Sequence, residues 1–407
     1  LRKAGWTIFV LILLVIALGV VQIVRSVPPQ TTAITGPHSV SVPGTSSLPW
    51  PATGSAAVAI GKSGAVRVHG SETPEPIASL AKMMTAYIVL KDHPLLGGEA
   101  GPSIPITAAD VTTWKRDVAN SDSVLQVATG ESLTEQQALE ALLVASADNV
   151  ADILAQWDSG SISSFVAKMN ATAHSLGMDH THYADPSGLD TTTVSTASDQ
   201  LIIARTDMAI PAFADIVAMP DATFPLAGTV QNFNYDVGHD GIIGVKTGSD
   251  TTAGGCWAFA ADRTIGTVKR VVYGVVLGIP GTSAGLVEPA LAAGEALANA
   301  IPGTVRSMTV VPAGTVVGYV RAPWRSTPVP ITTVHAIDGL VDNGTSVRFH
   351  VAVSRPSGRT VSKGERLGTL STNDVTKTST PKSATTTPIV AETSGSGPTL
   401  TWRLTRG

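Results

Sequence analysis

The chain has 407 residues, of which 43% are hydrophobic and 14% charged, enough apolar material for two or three domains with real cores. The formal net charge of -4 is uneven: residues 31–300 carry 12 Lys and Arg against 26 Asp and Glu, whereas 301–407 carry 12 against 5, so nucleic acid is excluded as a partner of the main part. A single cysteine, Cys256, excludes an internal disulfide, and the one close histidine pair, His180 and His182, lacks a third ligand at metal-site spacing, so no cofactor is implied, metal or organic.

The N-terminal stretch "AGWTIFVLILLVIALGVVQIV" runs 21 residues without a charge behind Arg2 and Lys3, about the length needed to cross the ~30 Å apolar core of a bilayer. With no good cleavage site after it, residues 1–25 read as an uncleaved transmembrane signal-anchor that leaves the rest of the chain outside the membrane. Residues 26–47, rich in Ser, Thr, Pro and Gly, read as a flexible linker.

From 48 to 302 the pattern is that of one catalytic domain. Short strands at "SAAVAI" and "AVRVH" flank a "GKSG" turn, helical periodicity then dominates from Ser79 onward, and Thr134 is placed to cap "LTEQQALEALLVA". Strands return at "GIIGVK", "GCWAFAA" and "KRVVYGVVLG" before a last helix at about 283–300. Strands, then helices, then strands predict an α/β (α+β) domain whose terminal strands share one sheet. Residues 303–371 read as a small all-β domain, 372–398 as a disordered Ser/Thr/Pro tract, and 399–407, with its alternating "TLTWRLT", as a returning strand.

The chemistry concentrates in "PIASLAKMMTAYIVL", where Lys82 interrupts an oily helix one turn after Ser79. At that spacing the two side chains share a face, with Cβ atoms roughly 5–6 Å apart. An alcohol needs a base to become a nucleophile, and an amine with a reference pKa of about 10.4 is no base at neutral pH unless its surroundings disfavour the ammonium. Burial does so, and a second cation ~6 Å away adds about 2.8 kcal/mol of repulsion, or two pKa units, at an effective dielectric of 20. Lys246 in "GIIGVKTGSDTTAGG" is the candidate for that second cation. Thr247 beside it offers a hydroxyl to a carboxylate, and Gly248 leaves the strand edge open to a peptide. Each pattern alone is weak: Ser379 to Lys382 repeats the first in the polar tract, and Lys62, Ser63 and Gly64 resemble the second in a turn.

Together, "ASLAKMMTA", "LLVASADNVADILA", "KMNATAHSLGMDHTHYADPSGLD" and "DGIIGVKTGSDTTAGGCWAFAA" resemble the serine D-alanyl-D-alanine carboxypeptidases among the low-molecular-mass penicillin-binding proteins, over residues 50–300. The resemblance implies a β-lactamase/transpeptidase-like fold, an antiparallel sheet with a helical subdomain. It implies that Ser79 is acylated, that Lys82 is its base and that Ser146 relays protons to the leaving D-alanine. Lys246 and Thr247 would hold the terminal carboxylate, while the backbone N–H groups of Ser79 and Ser249 would bind the oxyanion. The implied partners are peptidoglycan stem peptides ending in D-Ala-D-Ala and β-lactams as covalent inhibitors. The location is the bacterial cell envelope, with the membrane reached through the N-terminal helix and the catalytic domain extracytoplasmic.

One residue departs from the pattern. The second motif of the family is Ser-x-Asn, and here Ser146 and Ala147 are followed by Asp148, with Asn149 one place late. An ionised Asp148 accepts hydrogen bonds but donates none, and it stabilises the Lys82 ammonium, which predicts slower acylation and a gain on Asp148→Asn. Three states remain open on the sequence: a protonated Asp148, Asn149 in its place after a register shift, or a weakened enzyme. The alternatives to a carboxypeptidase are a DD-endopeptidase, which uses the same residues, and a catalytically weakened wall-binding homologue. A β-lactamase is disfavoured because no "E-x-x-L-N" string follows Ser146. Asp185, Ser187 and Gly188 in "DPSGLD" resemble a loop near the site in that family, but a turn with an Asx bond explains them equally well.

Overall fold

The structure is a computed structural model that describes residues 2–62, 64–96, 98–281, 285–372 and 385–406. It divides into two units, Ser47–Thr304 and a second made of Leu1–Ser46 with Val305–Gly407.

The first unit is built on a five-stranded antiparallel sheet in the spatial order Ile242–Asp250, Gly254–Ile265, Val268–Ile279, Ser55–Ile60, Arg67–His69. The first and last strands of the unit's sequence thus meet in one sheet. Its central strands are apolar on successive residues rather than alternating, because both faces are covered. The closing helix Glu288–Thr304 packs Leu297 and Ala298 against Trp257 and Phe259 on one face. On the other, Ala258, Ala260 and Val275 join the core of the helix Ala81–Asp92, whose Met83, Met84 and Ile88 are buried. That helix is apolar all round because it lies inside a bundle. Around it stand Ala108–Asn120, Glu135–Leu143, Asp148–Ser159, Ile162–Ser175, Ala197–Asp207 and Pro211–Val217. Thr134 caps Glu135–Leu143 through a reciprocal capping box with Gln137, where the sequence puts it.

Asp207, last in its helix, is fully buried and neither carboxylate oxygen has a hydrogen-bond partner among the described residues. Burial raises its pKa well above the usual carboxylate value. The native state therefore holds a proton that the unfolded chain releases above pH ~4, so stability falls as pH rises from there toward the folded pKa. An unsatisfied buried polar group costs roughly 1–3 kcal/mol, and 1 kcal/mol is about 2–4 °C of Tm in a unit of this size. Asp207→Asn is expected to melt several degrees above wild type at pH 8, with the difference closing toward pH 4; a variant that melts lower at pH 8 would refute the account.

The second unit differs from the sequence reading in three places. Residues 26–47 are not a free linker: Thr31–Ile34 pairs antiparallel with Val316–Arg321, and Ser39–Ser41 with Ser346–Arg348. The segment cannot form a core of its own, but Thr31–Ile34 adds an edge to a six-stranded sheet and Ser39–Ser41 makes a two-stranded sheet with Ser346–Arg348, next to the buried Val42. Within the supposed disordered tract, Thr386–Ala391 is an interior strand between Val329–Thr333 and Arg366–Ser371, with Ile389 and Ala391 buried. Residues 373–384, including the second Ser-x-x-Lys, lie outside the described residues, as does Ser63.

The third difference is the C-terminal stretch. Leu400–Thr405 is a helix capped by the Thr399 side chain, which accepts from the Trp402 N–H. Six residues satisfy a strand alternation and an i, i+4 helical pair equally well, and the environment decides. Arg403 donates to the Ile23 carbonyl, and Arg406 to those of Gln22 and Arg25; Gln22 and Ile23 are in the last turn of the N-terminal helix Arg2–Val24, where carbonyls run out of intrahelical donors. The span Ala4–Val24 in that helix is long and apolar enough to cross a membrane.

Candidate active site

The nucleophile candidate sits where a short 3-10 turn, Ala78–Leu80, runs into the buried helix Ala81–Asp92. The three-residue spacing brings Lys82 Nζ to 2.7 Å from Ser79 Oγ. The lysine is 0% exposed, and its tip touches two further oxygens: Asp148 Oδ1 at 2.5 Å and the Ser187 carbonyl at 3.0 Å. All three partners are acceptors for an ammonium, one hydrogen each.

Asp148 opens the helix Asp148–Ser159, and its backbone N–H is held by the Ser123 carbonyl at 2.7 Å. Asn149 points elsewhere. Its side-chain oxygen accepts from the Leu125 N–H at 2.9 Å and its amide donates to the Leu125 carbonyl at 3.0 Å. The register-shift alternative is thereby overturned, because Asn149 spends both polar atoms on a loop that it ties to the helix.

The "KTG" strand lies at the sheet edge. Lys246, 1% exposed, donates to Ser146 Oγ at 2.9 Å and to the Thr247 carbonyl at 2.9 Å. Ser146 adopts a left-handed φ of 55° in the turn before Asp148, which is unusual for a non-glycine residue and occurs where surroundings over-determine the backbone. Gly248 is required by packing. A Cβ there would stand 2.9 Å from the Ser79 nitrogen and 3.1 Å from the Ile77 carbonyl, so only glycine lets the edge approach the 3-10 turn this closely. Ser249 follows in the same strand, paired with Gly255.

The electrostatics follow from burial. The Lys246 pKa is lowered well below the ordinary lysine value, first by burial and then by the Lys82 charge, against a smaller opposing pull from Asp148. Asp148 is shifted upward by burial, a push that exceeds the stabilisation its carboxylate receives from Lys82. Nearby Asp152 is pushed up to about 7, again mainly by burial, with Asp117 adding to it.

One contributor was given no role by the sequence reading. The "DPSGLD" loop supplies the Ser187 carbonyl to Lys82, and Asp185 shapes the loop by accepting from the N–H groups of Ser187, Gly188 and Leu189 at 3.1, 2.8 and 3.0 Å and from Thr193 Oγ1 at 2.6 Å. Thr85 Oγ1 on the Ser79 helix fastens it through the Pro186 carbonyl at 2.6 Å. The Asx signature was visible, but a turn's sequence does not say what the turn packs against.

Residues 47–279 match the profile of the D-alanyl-D-alanine carboxypeptidase family of peptidases, more than half of the chain. The chain belongs to this family. A D-alanyl-D-alanine carboxypeptidase of Mycobacterium tuberculosis is 35% identical over 211 residues, covering 50% of this chain and 67% of the relative. A D-alanyl-D-alanine endopeptidase of Pseudomonas aeruginosa is 31% identical over 231 residues, covering 54% and 71%. Among solved structures, a penicillin-binding protein homologue of M. tuberculosis aligns with a TM-score of 0.54 at 29% identity, over 64% of this chain and 95% of that one. The D-alanyl-D-alanine carboxypeptidase family thus covers the unit that carries Ser79, Lys82, Ser146 and Lys246.

Proposed function

We propose that this serine peptidase removes the terminal D-alanine from peptidoglycan stem peptides through an acyl-Ser79 intermediate, working at the cell envelope from the anchor of its N-terminal helix. The observation that carries the reading is the Lys82 amine, fully buried at 2.7 Å from Ser79 Oγ, with Ser146, in the turn before Asp148, hydrogen-bonded to Lys246 on the adjoining strand edge.

In the proposed sequence Ser79 Oγ attacks the carbonyl carbon of the penultimate D-alanine as its proton passes to Lys82. The backbone N–H groups of Ser79 and Ser249 receive the developing oxyanion, where a lost donor typically costs ~2.7–4 kcal/mol. The carbon–nitrogen bond then breaks and Ser146, hydrogen-bonded to Lys246, passes the proton to the departing D-alanine amine. Lys246 and Thr247 hold the terminal carboxylate of the substrate, a role the electrostatics of a buried cation suit once an anion arrives. Water hydrolyses the acyl-enzyme by the reverse proton path. A β-lactam enters the same sequence, but its leaving group stays tethered.

The test is twofold. Penicillin-treated protein, digested and mapped by mass, is expected to carry the adduct on the peptide containing Ser79, and a pentapeptide ending in D-Ala-D-Ala is expected to release free D-alanine. An adduct on any other residue would sink the assignment of the nucleophile. Faster cleavage of a cross-linked dimer than of the pentapeptide would move the activity to the endopeptidase side of the family.

A further inference from the structure

The place where this chain leaves the family pattern, Asp148, carries an inference of its own, which rests on Ser79 being the acylated residue. Lys82 Nζ has three neighbours, Ser79 Oγ, Asp148 Oδ1 and the Ser187 carbonyl. With three hydrogens the amine fills all of them and has no lone pair for the Ser79 proton. To serve as a base it must release one hydrogen, keep two for Ser187 and Asp148, and turn its lone pair to Ser79. Of the groups it touches, the Ser187 carbonyl cannot take that hydrogen and Ser79 is the acid to be deprotonated. Asp148 remains, and its Oδ2 has no hydrogen-bond partner among the described residues.

We infer that the reacting form of the enzyme holds the shared proton on Asp148, so that the Asp148 carboxyl donates a hydrogen bond to the bound substrate while the Lys82 amine accepts the proton of Ser79. The proton count balances. The ion pair, ammonium and carboxylate, rearranges to amine and carboxylic acid with no net uptake, Lys82 releasing one hydrogen to solvent as Asp148 Oδ2 takes one up. Ser79 Oγ then bonds to the acyl carbon, its proton moves to Lys82 and onward to the leaving nitrogen, and Asp148 keeps its own proton throughout. A carboxylic acid with its hydrogen on Oδ2 presents one acceptor to Lys82 and one donor to the substrate, the same pair of functions that an asparagine amide would offer.

The surroundings favour that arrangement. The two side chains are 0% and 4% exposed, and taking both ions of a pair out of water costs several kcal/mol per ion, which a neutral pair avoids. The charged groups facing Asp148 are Lys82 on the Ser79 helix, Lys246 on the strand edge, Asp122 on the preceding loop and Asp152 on its own helix. Asp122 pushes it toward holding a proton and the two lysines oppose. Burial is the largest single influence and the net direction is upward, and Lys246 is itself biased toward the uncharged amine.

The rate of penicillin acylation of the full chain between pH 5 and 10, followed by mass at Ser79, tests this. Amine and acid together carry one proton, so the wild-type rate is expected to fall about tenfold per pH unit on the alkaline side, once that proton is lost. Asp148→Asn, which keeps the donor at every pH, is expected to lose this fall and to exceed wild type by a factor that grows about tenfold per pH unit once the wild-type rate begins to drop. A wild-type rate that stays level to pH 10, or the same alkaline fall in both proteins, would overturn the inference while leaving the nucleophile in place. No adduct at Ser79 in either protein at any pH would overturn both together.

Discussion

Lys82→Met is expected to lower penicillin acylation by a factor on the order of 10³ or more while the domain still folds, a loss within the 10²–10⁴ that a positioned general base contributes. No other amine or imidazole bonds to Ser79 among the described residues, so nothing on the spot replaces it. Methionine matches the lysine stem in shape and sits well beside Met83 and Met84, so the void is small. The stability cost comes instead from Asp148, which loses its partner at 4% exposure; a buried charge left unpaired costs about 3–5 kcal/mol. Because burial raises the Asp148 pKa, the native state answers by holding a proton. The deficit should therefore grow as pH rises above the unfolded carboxylate value and shrink toward pH 4. The double variant Lys82→Met with Asp148→Asn should recover the melting temperature and none of the activity. Acylation by the single variant within tenfold of wild type would remove Lys82 from the role of base.

Gly188→Ala should be nearly as damaging, although Gly188 bears no chemistry. Its φ is +86°, and an added Cβ would lie 1.9 Å from the Ala78 carbonyl oxygen and 2.5 Å from its carbon. Neither side yields cheaply. Gly188 N–H is held by Asp185 at 2.8 Å, and Ala78 already has a φ of 46° immediately before Ser79. The loop must lift, withdrawing the Ser187 carbonyl from Lys82, or the 3-10 turn must rotate and carry Ser79 with it. A displacement of about 1 Å at a reacting atom is worth on the order of 10²-fold. The expected result is at least that loss in acylation, together with a lower Tm. Gly160 is the control: its φ is +74° with open space around the Cβ position, so Gly160→Ala should incur only backbone strain and leave acylation unchanged. Equal effects of the two variants on acylation would mean that the close approach at Ala78 is not what holds the nucleophile.

Asp207, Asp148 and Gly188 share one lesson about what a sequence carries. Periodicity marked the buried helix, and the three-residue spacing across its start put Ser79 and Lys82 on one face, because a helical turn brings residues at that interval together. Apolar runs marked the sheet strands, and Thr134 marked a helix start, since capping is a contact between near neighbours. The departure at Asp148 was visible by counting from Ser146. These are local relations, and covalent geometry enforces them wherever the segment ends up.

The rest required the folded chain. Sequence could not choose between Asp148 and Asn149, because the choice depends on which side of one helix turn meets a loop at Leu125 and which meets Lys82, 66 residues away. It could not show that Ser187 closes the amine's coordination, or that a polar segment near the N-terminus and another beyond residue 385 are strands of one sheet. Strand partnership is set by edges that distant residues leave open, and burial by what packs on top. Neither quantity is stored in any one segment, so only the tertiary structure decides them.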